Sequence, residues 1–173
     1  GAWAGPVVAA CAVLTWEAVE RWGHVLQGAR DSKQMGPDKR EALAAELKVV
    51  LPAWSIAEVD NLAIDRENIL EATLQAMRKS LREAAIPPRL VFVDGDRAPR
   101  SGLPERLLVE GDATSCAVAC ASILAKTHRD ARMRELRGGK VMSDAMSKYP
   151  DIFTESTVAI MRAGETTGDL KSV

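Results

Sequence analysis

The residues from Pro6 to Leu14, PVVAACAVL, form an unbroken apolar run of the kind that fills a strand with helices on both of its faces. A polar stretch follows at Gly28-Ala-Arg-Asp-Ser-Lys33. Pro37 then opens a segment in which Leu43, Leu47, Val50 and Leu51 recur at three- and four-residue spacing, which predicts a helix. Ala53 to Val59 reads as a second strand. From Glu67 to Leu81 the positions Leu70, Thr73, Leu74, Met77 and Leu81 lie along one helical face, and Pro87-Pro88 stops the element. Arg89-Leu-Val-Phe-Val-Asp94 is the clearest strand pattern in the chain, closing on a carboxylate and a Gly95 turn. A short strand from Arg106 to Val109 leads through Glu110-Gly111-Asp112 into an alanine-rich helix from about Ser115 to Leu136. This alternation predicts an α/β sandwich, a fold class in which chemistry collects at the C-terminal ends of strands and at the helix starts beside them.

Composition narrows the picture. Of the 173 residues 47% are apolar and 27% charged, the balance of a globular chain of one domain. Lys and Arg total 23 against 24 Asp and Glu, so no overall positive field draws a polyanion, and a nucleic-acid site has to be a local patch. Cys11, Cys116 and Cys120 are odd in number and form no C-x-x-C pair. That argues against a disulfide framework or a structural zinc and for a reducing cytoplasm. Gly1 to Trp16 carries no charge, but it lacks a basic leader, contains Gly5-Pro6 and falls short of the ~20 residues that cross a bilayer, so a buried strand is the better reading. A chain opening on Gly1 rather than Met reads as a fragment.

Asp94 and Asp112 stand out as candidate chemistry. One closes a buried strand; the other sits just ahead of a helix, where the dipole favours an ionised carboxylate. Two ionised carboxylates brought together need a cation, and oxygen donors suit Mg²⁺ or Mn²⁺. Spacing alone leaves open the alternatives of a turn residue before Gly95 and a helix cap near Thr114 and Ser115. His24 and His128 are isolated in their segments and read as surface or packing residues. Ser32, Ser115 and Ser122 lack a G-x-S-x-G elbow, there is no Walker loop or dinucleotide fingerprint, and the four scattered Trp read as packing before base stacking.

Taken in order, several stretches resemble ribonuclease HII. Gly1-Ala-Trp-Ala-Gly-Pro-Val-Val resembles the strand after that family's D-E-x-G-R-G motif, and Asp31-Ser-Lys33 resembles its D-S-K. Then come Asn68-Ile-Leu with Ala72-Thr73 and Met77, Val93-Asp94-Gly95, Gly111-Asp112, and Ala121-Ser-Ile-Leu-Ala-Lys126 followed by Arg129-Asp130. The resemblance implies an RNase H-like mixed sheet flanked by helices. It also implies an endonuclease that hydrolyses the RNA strand of RNA-DNA hybrids and single ribonucleotides in duplex DNA. Its chemistry would use four carboxylates and two Mg²⁺ or Mn²⁺ ions, ~4 Å apart, to activate water and stabilise the leaving 3′-oxygen. Asp94 and Asp112 would be the third and fourth carboxylates and the metal ligands. The first two belong to the Asp-Glu before G-R-G, and Gly1 matches the last glycine of that triplet, so the first catalytic strand is read as missing and the chain as impaired. The triplet reads the 2′-hydroxyl in this family, and Gly1, Lys33, Asn68, Ser122 and Lys126 would touch the nucleic acid, with Asp130 structural. Glu110 and Thr114 replace family lysines near the scissile phosphate.

After about Leu136 the family's Y-P-x-Y-G-F and G-Y-G-T motifs do not follow. Gly139 to Pro150 with Phe153, Met161-Arg-Ala-Gly-Glu165 and Thr167-Gly-Asp-Leu170 instead resemble the cytoplasmic helical domain of the F-type inner-membrane protein of type II secretion and pilus assembly. The expectation is therefore a ribonuclease HII-like domain over residues 1–137 and a helical segment over 138–173. That segment would be poorly integrated, with Ile152, Phe153, Val158, Ile160 and Met161 needing a partner surface. The alternative function is a non-catalytic fragment or scaffold related to that secretion platform. A monomer without a small-molecule cofactor is expected.

Overall fold

The structure, a computed structural model, describes residues 6–29, 35–139, 143, 146, 147, 150 and 154–167. The chain divides into two compact units, Gly1–Asp130 and Ala131–Val173. In chain order the elements are β1 (Val7–Val13), α1 (Trp16–Gly28), α2 (Pro37–Val50), β2 (Ala53–Val59), α3 (Asn61–Glu67), α4 (Ile69–Glu83), β3 (Val91–Asp94), β4 (Glu105–Leu108), α5 (Gly111–Thr114), α6 (Cys116–Gly139) and α7 (Glu155–Thr167). It is an α/β fold with helices flanking small sheets of mixed sense.

β1 and β2 pair antiparallel, with Val7 opposite Val59 and Val13 opposite Ala53, and in both strands every second residue is buried. Val7, Ala9 and Val59 pack with Ala72 and Ala76 of α4. From the opposite face Ala10, Ala12, Trp54 and Ile56 pack against a cluster drawn from α1, α2 and α6. Leu26, Leu47, Ile123 and Leu124 lie at its centre, almost fully buried, and each contributes roughly 1.5–3 kcal/mol relative to an exposed position. Both faces are covered, as the unbroken apolar run requires. At the rim of this layer the Asp130 carboxylate meets Lys126 at 2.7 Å and Arg40 at 3.5 Å, tying α6 to α2.

The helix expected from Glu67 to Leu81 is α4, which starts at Ile69, behind a short α3 that the pattern did not announce. Asn68, at φ of 103°, separates the two, and its Oδ1 accepts the N–H of Glu71 at 3.0 Å to start α4. The face expected to be buried is also displaced. The deeply buried row of α4 is Ala72, Ala76 and Ser80, whereas Leu70 is exposed and Thr73, Leu74, Met77 and Leu81 are half-buried. Small side chains let the helix approach the β1–β2 pair closely, and the Ser55 hydroxyl donates to the Ser80 carbonyl at 2.5 Å across that contact. Sequence reading also passed over α1, which Thr15 caps by accepting the Ala18 N–H at 3.3 Å.

β3 and β4 pair in parallel, Val91 opposite Glu105 and Asp94 opposite Leu108. Both are shorter than or offset from the sequence expectation, since Arg89 and Leu90 precede the ladder and Val109 lies beyond it. The loop 95–104 joining them contains no helix. It is held by Glu105, whose carboxylate accepts from the Ser101 N–H at 2.6 Å, the Ser101 hydroxyl at 2.5 Å and the Arg100 N–H at 3.3 Å. Burial opposes that charge, but the Ser101 and Arg100 bonds outweigh it and hold the Glu105 carboxyl below its ordinary pKa.

In the second unit α7 begins behind Thr154, whose hydroxyl accepts the Thr157 N–H at 3.3 Å. Val158 is buried, Ile160 is exposed and Met161 is half-buried, while Ile152 and Phe153 lie outside the described residues. No described helix is long and apolar enough to cross a membrane.

Candidate active site

Parallel pairing carries Asp94 to the end of β3 opposite Leu108, and Gly95, at φ of +115°, turns the chain away while its N–H donates to the Leu108 carbonyl at 2.9 Å. A side chain at Gly95 would be strained there. On the neighbouring strand the chain reverses through Glu110, held in the left-handed region at φ of 53°, and α5 starts at Gly111. The Gly111 N–H donates to Asp94 Oδ1 at 2.8 Å. A Cβ on Gly111 would stand 3.1 Å from Leu108 Cβ and 3.2 Å from both Asp94 Oδ1 and Val118 Cγ1, so a side chain there would force these neighbours to give by a few tenths of an ångström. Asp112 is the next residue, half-buried in the first turn of α5.

The elements that carry the two candidate carboxylates thus meet, the end of β3 bonding through Asp94 to the start of α5. The Asp94 side chain reaches the neighbouring strand-helix junction, and the first turn of α6 is closed by the Ser115 hydroxyl, which accepts from Val118 N–H at 3.5 Å. Two carboxylates suit one hard cation whose other positions are taken by water and phosphate. Among the described residues no group of three or more His, Cys, Asp or Glu is placed to hold a metal.

The other candidates fall as follows. Gly1 and Lys33 lie outside the described residues. Asn68 is exposed, and its side-chain oxygen is occupied in capping α4. Ser122 is half-buried on α6, and the Lys126 ammonium is engaged with Asp130 one turn on. Asp130, read from sequence as structural, pairs with Lys126 and Arg40. Burial pushes the Cys11 thiol up to about 11, and a hydrogen bond with Cys116, then burial, pushes Cys120 up as well. Neither is a nucleophile near neutral pH.

Sequence reading missed two features. His128 on α6 bonds through Nε2 to the Glu58 carboxylate on β2, a pairing across seventy positions that no local spacing announces. The left-handed backbone at Glu110 was equally hidden, although Gly111 after it marks a tight turn.

A family model described as ribonuclease HII matches residues 1–162. A ribonuclease HII from Chlorobium phaeobacteroides is 37% identical to this chain over 97% of its length and 80% of that protein. One from Caldicellulosiruptor bescii is 39% identical over 87% of the chain, which spans only 66% of that relative. Among solved structures, the ribonuclease H2 of Pyrococcus horikoshii OT3 superposes with a TM-score of 0.67 at 27% identity, covering 80% of this chain and 73% of that one. The family model and the Chlorobium alignment both continue past residue 137, and neither supports the secretion-platform resemblance of the tail. On the fold, the placement of Asp94 and Asp112 and these matches, the chain belongs to the ribonuclease HII family.

Proposed function

We propose that this chain is an endonuclease of RNA-DNA hybrids and of single ribonucleotides embedded in duplex DNA, acting by metal-dependent hydrolysis of the phosphodiester. One observation supports the reading: the Asp94 carboxylate, at a strand end where this fold class tends to place chemistry, accepts the N–H of Gly111, the residue before Asp112. Asp94 and Asp112 would hold a divalent ion, Mg²⁺ or Mn²⁺, which when bound supplies Lewis-acid activation of water and charge stabilisation at the phosphate. Asp94 keeps its orientation through Gly111, and Asp112 is fixed by the helical turn it belongs to. Asn68, Ser122 and Lys126 are proposed as backbone contacts.

The test is cleavage of a DNA duplex containing one ribonucleotide, with Mg²⁺ or Mn²⁺, by the chain and by its Asp94→Asn and Asp112→Asn variants. Metal-dependent cutting that either substitution abolishes supports the reading. Undiminished cutting by the variants means that other carboxylates, such as Asp96 or Glu110, hold the ion, and no cutting by the chain overturns the reading. No observation favours the scaffold alternative.

A further inference from the structure

Asp94 is followed by Gly95, and this is the only Asp-Gly or Asn-Gly dipeptide in the sequence. An aspartyl side chain can be attacked at Cγ by the backbone nitrogen of the next residue, and a glycine there offers no side chain to hinder the approach. The turn that leaves β3 needs φ of +115° at this position, where other residues are strained, so the fold itself selects the least hindered neighbour for the carboxylate. Space is open around it: Asp94 is exposed, and a Cβ built on Gly95 would meet nothing within 4 Å. Two hydrogen bonds nevertheless hold the reacting groups apart. The Gly95 N–H donates to the Leu108 carbonyl at 2.9 Å, and Asp94 Oδ1 accepts the Gly111 N–H at 2.8 Å. The nitrogen is thus tied to the neighbouring strand, and the carboxylate reaches across to the start of α5. Ring closure demands that the Gly95 nitrogen swing about the Asp94 Cα–C bond to lie beside Cβ, a rotation out of the extended strand, while the carboxyl turns back from Gly111.

We propose that Asp94-Gly95 is an isoaspartate site that the fold keeps closed through these two bonds, so that opening of the β3–β4 end converts the carboxylate. In the open chain the Gly95 nitrogen gives up its proton and bonds to Asp94 Cγ. A Cγ–O bond breaks, and the oxygen takes that proton and one from solvent to leave as water, giving a five-membered succinimide. Water then adds to either ring carbonyl and breaks its bond to the nitrogen. One opening restores Asp94; the other leaves the main chain running through Cγ with the carboxylate on Cα. The two steps together neither gain nor lose an atom, and no oxidant, metal or second enzyme is needed. β3 and β4 are four residues each, so their end is a place where local opening is expected. The isoaspartyl chain carries an extra backbone carbon between Asp94 Cα and the Gly95 nitrogen, which moves that nitrogen off Leu108 and the carboxylate off Gly111. Conversion therefore marks the strand end as having been open. Loss of metal-dependent cleavage follows only if Asp94 also belongs to the proposed metal site; the isomerisation itself rests on neither metal nor nucleic acid.

The experiment holds the full chain at neutral pH and physiological temperature, folded in buffer and unfolded in guanidinium, beside a synthetic peptide of residues 90–97. Isoaspartate at position 94 is read by peptide mapping with electron-transfer fragmentation, and ring opening by uptake of heavy oxygen from labelled water. The unfolded chain should convert at the rate of the peptide. The folded chain should convert slower by roughly ten-fold or more, because it reacts only through its locally open population. Gly111→Ala, which crowds Asp94, should raise the folded-state rate by more than Leu47→Ala, a variant of the α2 core that loses more stability. Should either variant misfold, the parent chain still decides: across low guanidinium concentrations isoaspartate formation should rise in proportion to hydrogen exchange of the Gly95 amide, since both need the Gly95–Leu108 bond open. Equal rates in the folded and unfolded chains, or no isoaspartate at 94 in either, would overturn the proposal. A larger effect of Leu47→Ala, or isomerisation that rises without exchange at Gly95, would overturn it too. None of these readouts depends on cleavage, so the nuclease reading and this one fail separately.

Discussion

Asp94 Oδ1 accepts the backbone N–H of Gly111 at 2.8 Å, so the last residue of β3 is latched to the residue just before Asp112. The backbone that carries one carboxylate orients the other, and the position of the pair is set by two short loops rather than by side-chain rotamers alone.

The latch predicts the behaviour of Gly111→Ala. A methyl group there meets Leu108, Asp94 and Val118 at 3.1–3.2 Å, and at least one of them has to move. We expect a loss of about 1–3 kcal/mol in urea unfolding, together with a fall in metal-dependent cleavage as Asp94 is displaced. Unchanged stability and activity would show that the approach is not tight.

Asp94→Asn keeps an oxygen for the Gly111 N–H but removes the charge. It should fold normally and lose metal-supported cleavage by on the order of 100-fold or more, with Asp112→Asn alike. Calorimetric titration with Mn²⁺ should show weakened binding in both. Full activity in either variant would remove that residue from the site.

Glu110 places a negative charge two residues from Asp112 on an exposed turn. Glu110→Lys should tighten binding to duplex nucleic acid and steepen the dependence of log affinity on log salt by about one unit. The measurement is fluorescence anisotropy across a salt series; a slope identical to that of the parent chain would place residue 110 away from the phosphates.

Cys11 couples stability to alkaline pH. In the unfolded chain its thiol ionises near 9.0, whereas burial raises it to about 11 in the native protein. The native state therefore holds a proton that the unfolded state releases. The associated stability is complete below pH 9 and is lost as the pH rises towards 11, by at most about 3 kcal/mol. Denaturation midpoints measured from pH 8 to 11 should fall less steeply in Cys11→Ala than in the parent.

Much of the fold was legible from pattern. The bounds of β2 coincide with the sequence expectation, and α2 starts at Pro37 as predicted, because each is marked by its own residues. The face of α4 was misread because large apolar side chains attract the eye, while close packing on β1–β2 selects Ala72, Ala76 and Ser80. The strand end at Asp94 and the helix start at Asp112 were legible as positions, but the bond joining their elements depends on a backbone N–H that carries no sequence signal. His128 and Glu58 were invisible for the same reason that β pairing is hard to read: the partners are remote along the chain.

The crossover 95–104 has a further consequence, for the order of folding. Parallel strands usually meet only after an intervening helix has been traversed, yet β3 reaches β4 across one short loop that Glu105 cinches to Ser101 and Arg100. β2 can find β1 only after α1 and α2 have been laid down between them. Loop-closure entropy favours the nearer pairing, so β3–β4, and with it the Asp94 end of the site, should gain protection first in a pulsed hydrogen-exchange refolding experiment. The edge of β1 is then set in place against a carboxylate platform that already exists.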